Sequence, residues 1–178
     1  MEHLLVVAAT CIKPLIRIDG LAPMAACALH IPPHGAPQLY VLGGCERATD
    51  TWLARAILHA LQVVDRGEGE TIACISKEHV WITAQKRVSQ SLRSGDLTMD
   101  GLPAWAELDR IGKLPHIIKR APASPQEGFW LEGCGAIAKA INKDVLADFR
   151  LNPERYIVPG ITWTDCQPVP PQLLAPAG

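Results

Sequence analysis

The stretch TWLARAILHALQVVD, residues 51–65, carries apolar side chains at helical spacing. They occupy so much of the helix circumference that we predict a deeply buried helix, lying flat against a sheet. Thr49, Asp50 and Thr51 are predicted to cap its N-terminus. The apolar positions form two neighbouring stripes: Leu53, Ile57, Leu61 and Val64, and Trp52, Ala56, Ala60 and Val63.

Three short strand patterns precede this helix. Leu15–Asp19 alternates, Met24–Ile31 is an apolar run that ends at a Pro-Pro-His-Gly turn, and Gln38–Leu42 ends at two glycines. The connections between these strands are short, which permits antiparallel hairpins and excludes helical crossovers. We therefore expect three strands joined by hairpins.

The region after the helix alternates between strand and helix patterns. The first strand in it follows a helix and is therefore expected to run parallel to an earlier strand. The complete order is βββαβααβα, an α/β fold with a five-stranded mixed sheet of three antiparallel hairpin strands and two parallel strands, flanked by helices. The later elements are a strand at Thr71–Ile75, helices at Val80–Leu92 and Pro103–Ile111, a strand at Ile117–Arg120 and a helix at Phe129–Arg150.

The composition is that of an ordinary globular chain. Hydrophobic residues make up 48% of the 178 residues and charged residues 20%, which excludes global disorder. The net charge is −1, so no global charge attracts nucleic acid, although a local basic face remains open. No apolar run reaches the roughly 18 residues of a membrane span, and no signal peptide is recognised at the start. We predict an intracellular protein that needs no cofactor.

Prolines become more frequent after Asn152. We predict a domain at residues 1–150 and a proline-rich C-terminal extension at 151–178. Because proline interrupts helices and central strands, the end from Gln167 to Gly178 is expected to be an extended tail. A polyproline docking peptide is the functional alternative to a plain terminus.

The order of elements resembles the ribonuclease H fold over residues 15–140. Four segments carry the resemblance. Ile18-Asp19-Gly20 is similar to the Asp-Gly end of the family's first strand, and ISKEHV at 75–80 falls where its fourth strand ends. DGLPAW at 100–105 resembles a helix with an Asp-Leu-Trp segment, and EGCGAIA at 132–138 resembles the opening of the last helix.

The resemblance implies metal-dependent chemistry, but most of the acidic residues that this chemistry needs are missing from the sequence. Ribonucleases H cleave the RNA strand of an RNA/DNA hybrid with two magnesium ions, which four acidic residues hold. Asp19 matches the acid of the first strand. The other three acid positions match Trp52, Ser76 and Gly135, none of which is acidic. We therefore predict a degenerate, catalytically inactive member, with Asp19 as its sole surviving catalytic acid.

An active magnesium-dependent hybrid endoribonuclease is the alternative. It requires displaced acidic ligands, among which Asp19 and Glu78 would bind the metal; magnesium is expected only in this case. The full displaced set is Asp19, Glu46 or Asp50, Glu78 and Glu132.

Basic residues concentrate in the second half of the chain. In ribonucleases H, basic residues near the second and third helices contact the DNA strand, so the resemblance implies a nucleic-acid-binding patch with an interleaved aromatic ring. An ordinary solvated helix face is the alternative. The predicted binding residues are Trp81, Lys86, Arg87, Arg93, Lys119 and Arg120.

Together these inferences favour a binding module over an enzyme. We expect it to bind a nucleic-acid duplex, such as an RNA/DNA hybrid, or to act as a scaffold for a protein partner in a larger assembly. Proteins of this fold also occur in retroelement and viral polymerase polyproteins. There, catalytically silent copies of the fold, associated with reverse transcriptase, connect the active parts of the polymerase, and the resemblance implies a similar scaffold role.

Overall fold

The computed structural model describes residues 1–11, 19–77 and 79–176. They form six strands and six α-helices, with a 3-10 turn at Pro153–Tyr156. The strands are β1 (Glu2–Cys11), β2 (Ala22–Ile31), β3 (Gln38–Glu46), β4 (Thr71–Ile75), β5 (Ile117–Arg120) and β6 (Gly160–Gln167). The helices are α1 (Thr49–Val63), α2 (His79–Ser94), α3 (Leu102–Ile111), α4 (Pro125–Ala140), α5 (Asn142–Leu151) and α6 (Pro171–Leu174).

The strands form one mixed sheet in the order β5-β4-β1-β2-β3-β6. β1, β2 and β3 pair as antiparallel neighbours, while β1–β4 and β4–β5 are parallel. This confirms the predicted α/β fold with three antiparallel and two parallel strands. The sheet has a sixth strand that was not predicted, because β6 pairs antiparallel with β3.

The first strand is not where the sequence pattern placed it. It is β1, whereas Leu15–Ile18 lies outside the described residues and Asp19 occupies a turn with φ 52°. β1 is one of the two central strands, and its Leu5, Val6 and Val7 are fully buried. A strand covered on both faces is a continuous apolar run without alternation, so its sequence does not show the usual two-residue period.

Helices cover both faces of the sheet. α1, α2 and α3 pack on one face, where Leu5 and Val7 of β1 join a core with Trp52 of α1. α4 and α5 pack on the other face, where Val6 meets Cys134 of α4. β1 therefore lies in the middle of a three-layer domain.

Two helix predictions need correction. Thr49, Asp50 and Thr51 lie in the first turn of α1, and the capping position is Ala48, which has no side-chain cap. The single helix predicted at Phe129–Arg150 is two helices, α4 and α5, which meet at Ile141. The apolar spacing continues across this break, so periodicity alone did not reveal it.

The C-terminal segment 151–178 packs on the rest of the chain over its described part. β6 joins the sheet, and Leu173 of α6 is 4% exposed. A Cβ at Gly133 of α4 would overlap the Cδ1 methyl of Leu173, so glycine there leaves room for this side chain in its present rotamer. The prediction that this end forms no helix is wrong, because proline is tolerated in the first turn of α6.

Across the described ranges, no helix combines the length and apolar character needed to cross a membrane.

Candidate functional site

A pocket of about 600 Å³ lies where the end of β1 meets the N-terminus of α1, the segment that follows β4 and the middle of α4. We call it the central pocket. Because α1 and α4 cover opposite faces of the sheet, the pocket opens between the two helical layers. Its lining consists of Val7, Ala8, Ala9, Thr10, Thr49, Asp50, Leu53, Lys77, Leu131, Glu132, Gly135, Ala136 and Lys139.

The charges around the central pocket balance. Asp50 and Glu132 contribute two carboxylates, and Lys77 and Lys139 contribute two ammonium groups. Two divalent ions carry four positive charges, so two carboxylates neutralise only half of them, and each lysine adds repulsion. This arrangement suits a bound phosphate better than a pair of magnesium ions.

Asp50 owes its position to the start of α1. It lies in the first helical turn, where the helix dipole favours a negative side chain. His79 Nε2 of α2 lies 3.4 Å from Asp50 Oδ1, and both side chains are more than half exposed. An exposed pair of this kind contributes little to stability. Because its side chain is exposed, Asp50 is open to solvent at the pocket rim.

The structure also locates the positions that the resemblance matched to acids. A Cβ on Gly135 would lie 4.0 Å from the Cβ of Ala8, so this position does face β1 inside the pocket. Ser76 is buried directly after β4, and its Oγ has no hydrogen-bond partner among the described residues. Trp52 instead points into the core, where its indole N–H donates to the Ala25 carbonyl at 2.8 Å.

Asp19 does not line the central pocket. It is exposed in the connection between β1 and β2, and its backbone carbonyl accepts a hydrogen bond of 2.7 Å from Arg47 Nη1. The prediction that Asp19 ends the first strand is wrong, because that strand is β1. Its role as a catalytic acid stays a prediction.

The other acids of the displaced set are only partly gathered. Asp50 and Glu132 line the central pocket, whereas buried Glu46 binds Arg55 and accepts the Arg47 backbone N–H at 2.8 Å. Glu78 lies outside the described residues. In the part of the chain that the structure describes, no three His, Cys, Asp or Glu side chains are placed to hold a metal ion.

The predicted nucleic-acid-binding residues lie on α2 and β5. Lys86, Arg87 and Arg93 are exposed on α2. Lys119 Nζ lies 5.8 Å from the ring centroid of Trp81, which is itself only 8% exposed. The ring therefore supports Lys119 as a cation–π partner and is not open for stacking on a base.

Arg120 differs from the other basic residues because it is already paired. Its guanidinium donates two hydrogen bonds to the Glu127 carboxylate of α4, at 2.5 and 2.7 Å. This contact holds the pKa of Glu127 below its usual range and raises the pKa of Arg120. Glu127 also accepts the Ala123 backbone N–H at 2.6 Å. The charge of Arg120 is therefore largely neutralised by the Glu127 carboxylate within the fold.

Sequence reasoning missed the two lysines of the central pocket. Lys77 follows Ser76 at the end of β4, and Lys139 lies one helical turn after Gly135, so both are close to positions that the resemblance singled out. A search that admitted cations as well as acids at those positions would have found them.

Comparisons with known proteins bear on the fold. No protein-family profile matches the sequence, and no curated protein matches it. The chain is similar in structure to LC9-RNase H1, a type 1 RNase H with the type 2 active-site motif, with a TM-score of 0.50 and 9% sequence identity. The match covers 80% of this chain and 72% of the other. The strand order and this match together show that the chain has a ribonuclease H-like fold.

Proposed function

We propose that this protein is a ribonuclease H-like domain that binds a nucleic-acid duplex and does not cleave it. The observation that carries the proposal is the charge of the central pocket. In ribonucleases H, acids on the first strand, the buried helix, the fourth strand and the last helix hold the metal ions. Here β1, α1, the end of β4 and α4 bring only two acids together, with Lys77 and Lys139 beside them, among the residues that the structure describes.

The two lysines provide positive charge of a different kind from metal ions. An ammonium group attracts a backbone phosphate directly and releases counterions from the duplex. It does not lower the pKa of a bound water or clamp a leaving oxygen as a pair of divalent ions does. The pocket can therefore hold a phosphate without providing the groups for its hydrolysis.

The exposed basic residues of α2 provide further positive charge outside the central pocket. Lys86, Arg87 and Arg93 are exposed on one helix, and Lys119 lies beside it on β5. Contacts to phosphates along a duplex position the protein without reading its sequence. We propose an RNA/DNA hybrid as the duplex, because the fold is that of hybrid-specific nucleases.

A cleavage assay tests the absence of activity. With magnesium and an RNA/DNA hybrid, we expect no cleavage above the background of protein-free samples, because only two carboxylates of the described residues face the pocket. The control is the double variant Asp50→Asn/Glu132→Gln, together with Asp19→Asn. Cleavage by the unmodified protein that any of these variants abolishes would contradict the proposal and establish the displaced-ligand enzyme.

A binding assay tests the role of the lysines. We expect affinity for a hybrid duplex to fall steeply with salt, and Lys77→Ala/Lys139→Ala to lower it about tenfold at low salt. The plot of log K against log salt has a negative slope. If each lysine contacts one phosphate, this slope becomes shallower in the variant by about 0.9 for each lysine removed. Fluorescence anisotropy over a salt series measures both quantities.

The matched control is Arg150→Ala, which removes an exposed charge from the last turn of α5. It should retain the affinity and the salt slope of the unmodified protein. Equal losses in both variants would show a diffuse charge effect instead of a site. No duplex binding even at low salt would overturn the proposal and leave the protein-scaffold role.

A further inference from the structure

Two buried histidines lie at the end of the sheet opposite to the central pocket. His3 of β1 and His30 of β2 are each 3% exposed, and their rings stack with centroids 5.1 Å apart and planes 12° apart. His3 Nδ1 lies 2.8 Å from His30 Nε2, and His3 Nε2 lies 2.7 Å from Glu70 Oε2. The three side chains form a continuous hydrogen-bonded chain.

β3 and the turn before β4 contribute polar groups around this chain. On β3, Gln38 Oε1 lies 3.4 Å from His30 Nδ1 and accepts the Tyr40 hydroxyl at 2.9 Å. Glu70 accepts the Gly67 backbone N–H at 2.6 Å, and its pKa lies below the usual range, mainly because of the His3 hydrogen bond. Other titratable or charged neighbours among the described residues include the Met1 ammonium, Arg66, His34 and Asp65.

The 2.8 Å contact sets a limit on the protons that the two rings can hold. A hydrogen bond between two imidazole nitrogens needs one hydrogen between them, on either ring. When both rings are protonated, each facing nitrogen carries a hydrogen, so the bond is lost and two positive rings are left in contact. Full protonation and this geometry are therefore incompatible.

We propose that His3, His30 and Glu70 form an acid-sensitive clamp, which opens when both imidazoles are protonated. The clamp joins β1 and β2 to the turn that precedes β4. Next to it, the Thr71 backbone N–H donates to the Met1 carbonyl at 3.2 Å, and Glu2 pairs with Thr71 as the first position of the parallel β1–β4 ladder. Opening the clamp frays this end of the ladder.

The direction of the pH effect follows from His30. Burial is the main cause that lowers the pKa of His30 from its usual 6.5; the Gln38 hydrogen bond opposes this shift, and the charge of His3 adds to it. The unfolded chain then binds the second proton more readily than the folded chain, so stability falls as pH drops below about 6.5. A side pocket of about 320 Å³, lined by His30 and His34, gives this ring a route for proton exchange.

Urea unfolding at a series of pH values tests the clamp. A difference of one bound proton changes the unfolding equilibrium constant by up to about tenfold per pH unit. We expect the unfolding equilibrium constant of the unmodified protein to rise as the pH falls below about 6.5, and to rise less steeply in His30→Gln. His34→Gln is the matched control, because it removes an exposed histidine from the same side pocket and should keep the unmodified slope.

A measurement on the unmodified protein covers the case in which His30→Gln does not fold. Hydrogen exchange, corrected for intrinsic rates, should show weaker protection of the Thr71 amide, which donates to the Met1 carbonyl, at about pH 5.5 than at about pH 7. Protection in the middle of β2 should change less. Equal protection at both pH values, or parallel pH profiles of the unmodified protein and His30→Gln, would overturn the clamp.

Discussion

Trp52→Ala is expected to destabilise the protein by about 4 kcal/mol. Trp52 is fully buried at the centre of the α1 core and donates a hydrogen bond of 2.8 Å to the Ala25 carbonyl. Alanine leaves a cavity and an unpaired buried carbonyl, and both cost free energy. Thermal unfolding followed by circular dichroism should show a midpoint on the order of 10 °C lower.

Leu92→Ala provides the comparison for this substitution. Leu92 is 76% exposed on α2, so the change should alter the free energy of unfolding by no more than about 0.5 kcal/mol. If Trp52→Ala were as mild as Leu92→Ala, Trp52 could not be a core residue.

Gly44→Ala is expected to separate β6 from β3. A Cβ at this position would overlap the Gly160 carbonyl oxygen and lie 3.0 Å from Trp52 Cη2. A backbone atom on one side and a packed ring on the other leave no flexible group to yield. We expect a loss of about 1–3 kcal/mol in stability and faster hydrogen exchange along β6.

Gly128→Ala is the matched control because it makes the same chemical change in a helix. A Cβ at Gly128 of α4 meets nothing within 4 Å, and alanine favours helices over glycine by about 1 kcal/mol. This variant should therefore be slightly more stable than the unmodified protein. Unchanged exchange along β6 in Gly44→Ala would mean that the close approach at Gly160 is not required.

The sequence revealed much of the fold because several elements obey local rules. β4 and β5 have the predicted bounds, and α1 was recognised from its two apolar stripes. β1 was missed because burial on both faces removes the alternation on which strand prediction depends. β6 was missed because the prolines around it suggested a tail, while its pairing with β3 depends on contacts distant in sequence.

The candidate site was less predictable than the fold. Matching the buried-helix acid to Trp52 placed it in the core, whereas Thr49, Asp50 and Leu53 are the residues of α1 that face the central pocket. Arg120 looked available for binding, and only the folded structure shows that the Glu127 carboxylate already holds it. Residue type and spacing indicate which side chains could form a site. They do not show which of these side chains are buried or paired with each other once the chain has folded.

The pairing of β6 with β3 has a consequence for how the chain acquires its shape during synthesis. The Thr162 hydroxyl donates to the Gly43 carbonyl across 119 positions of sequence, so the sheet lacks its sixth strand until β6 has left the ribosome. Until then, β3 presents an open row of backbone donors and acceptors. Nascent chains that stall before residue 160 should therefore be especially prone to aggregate through this row.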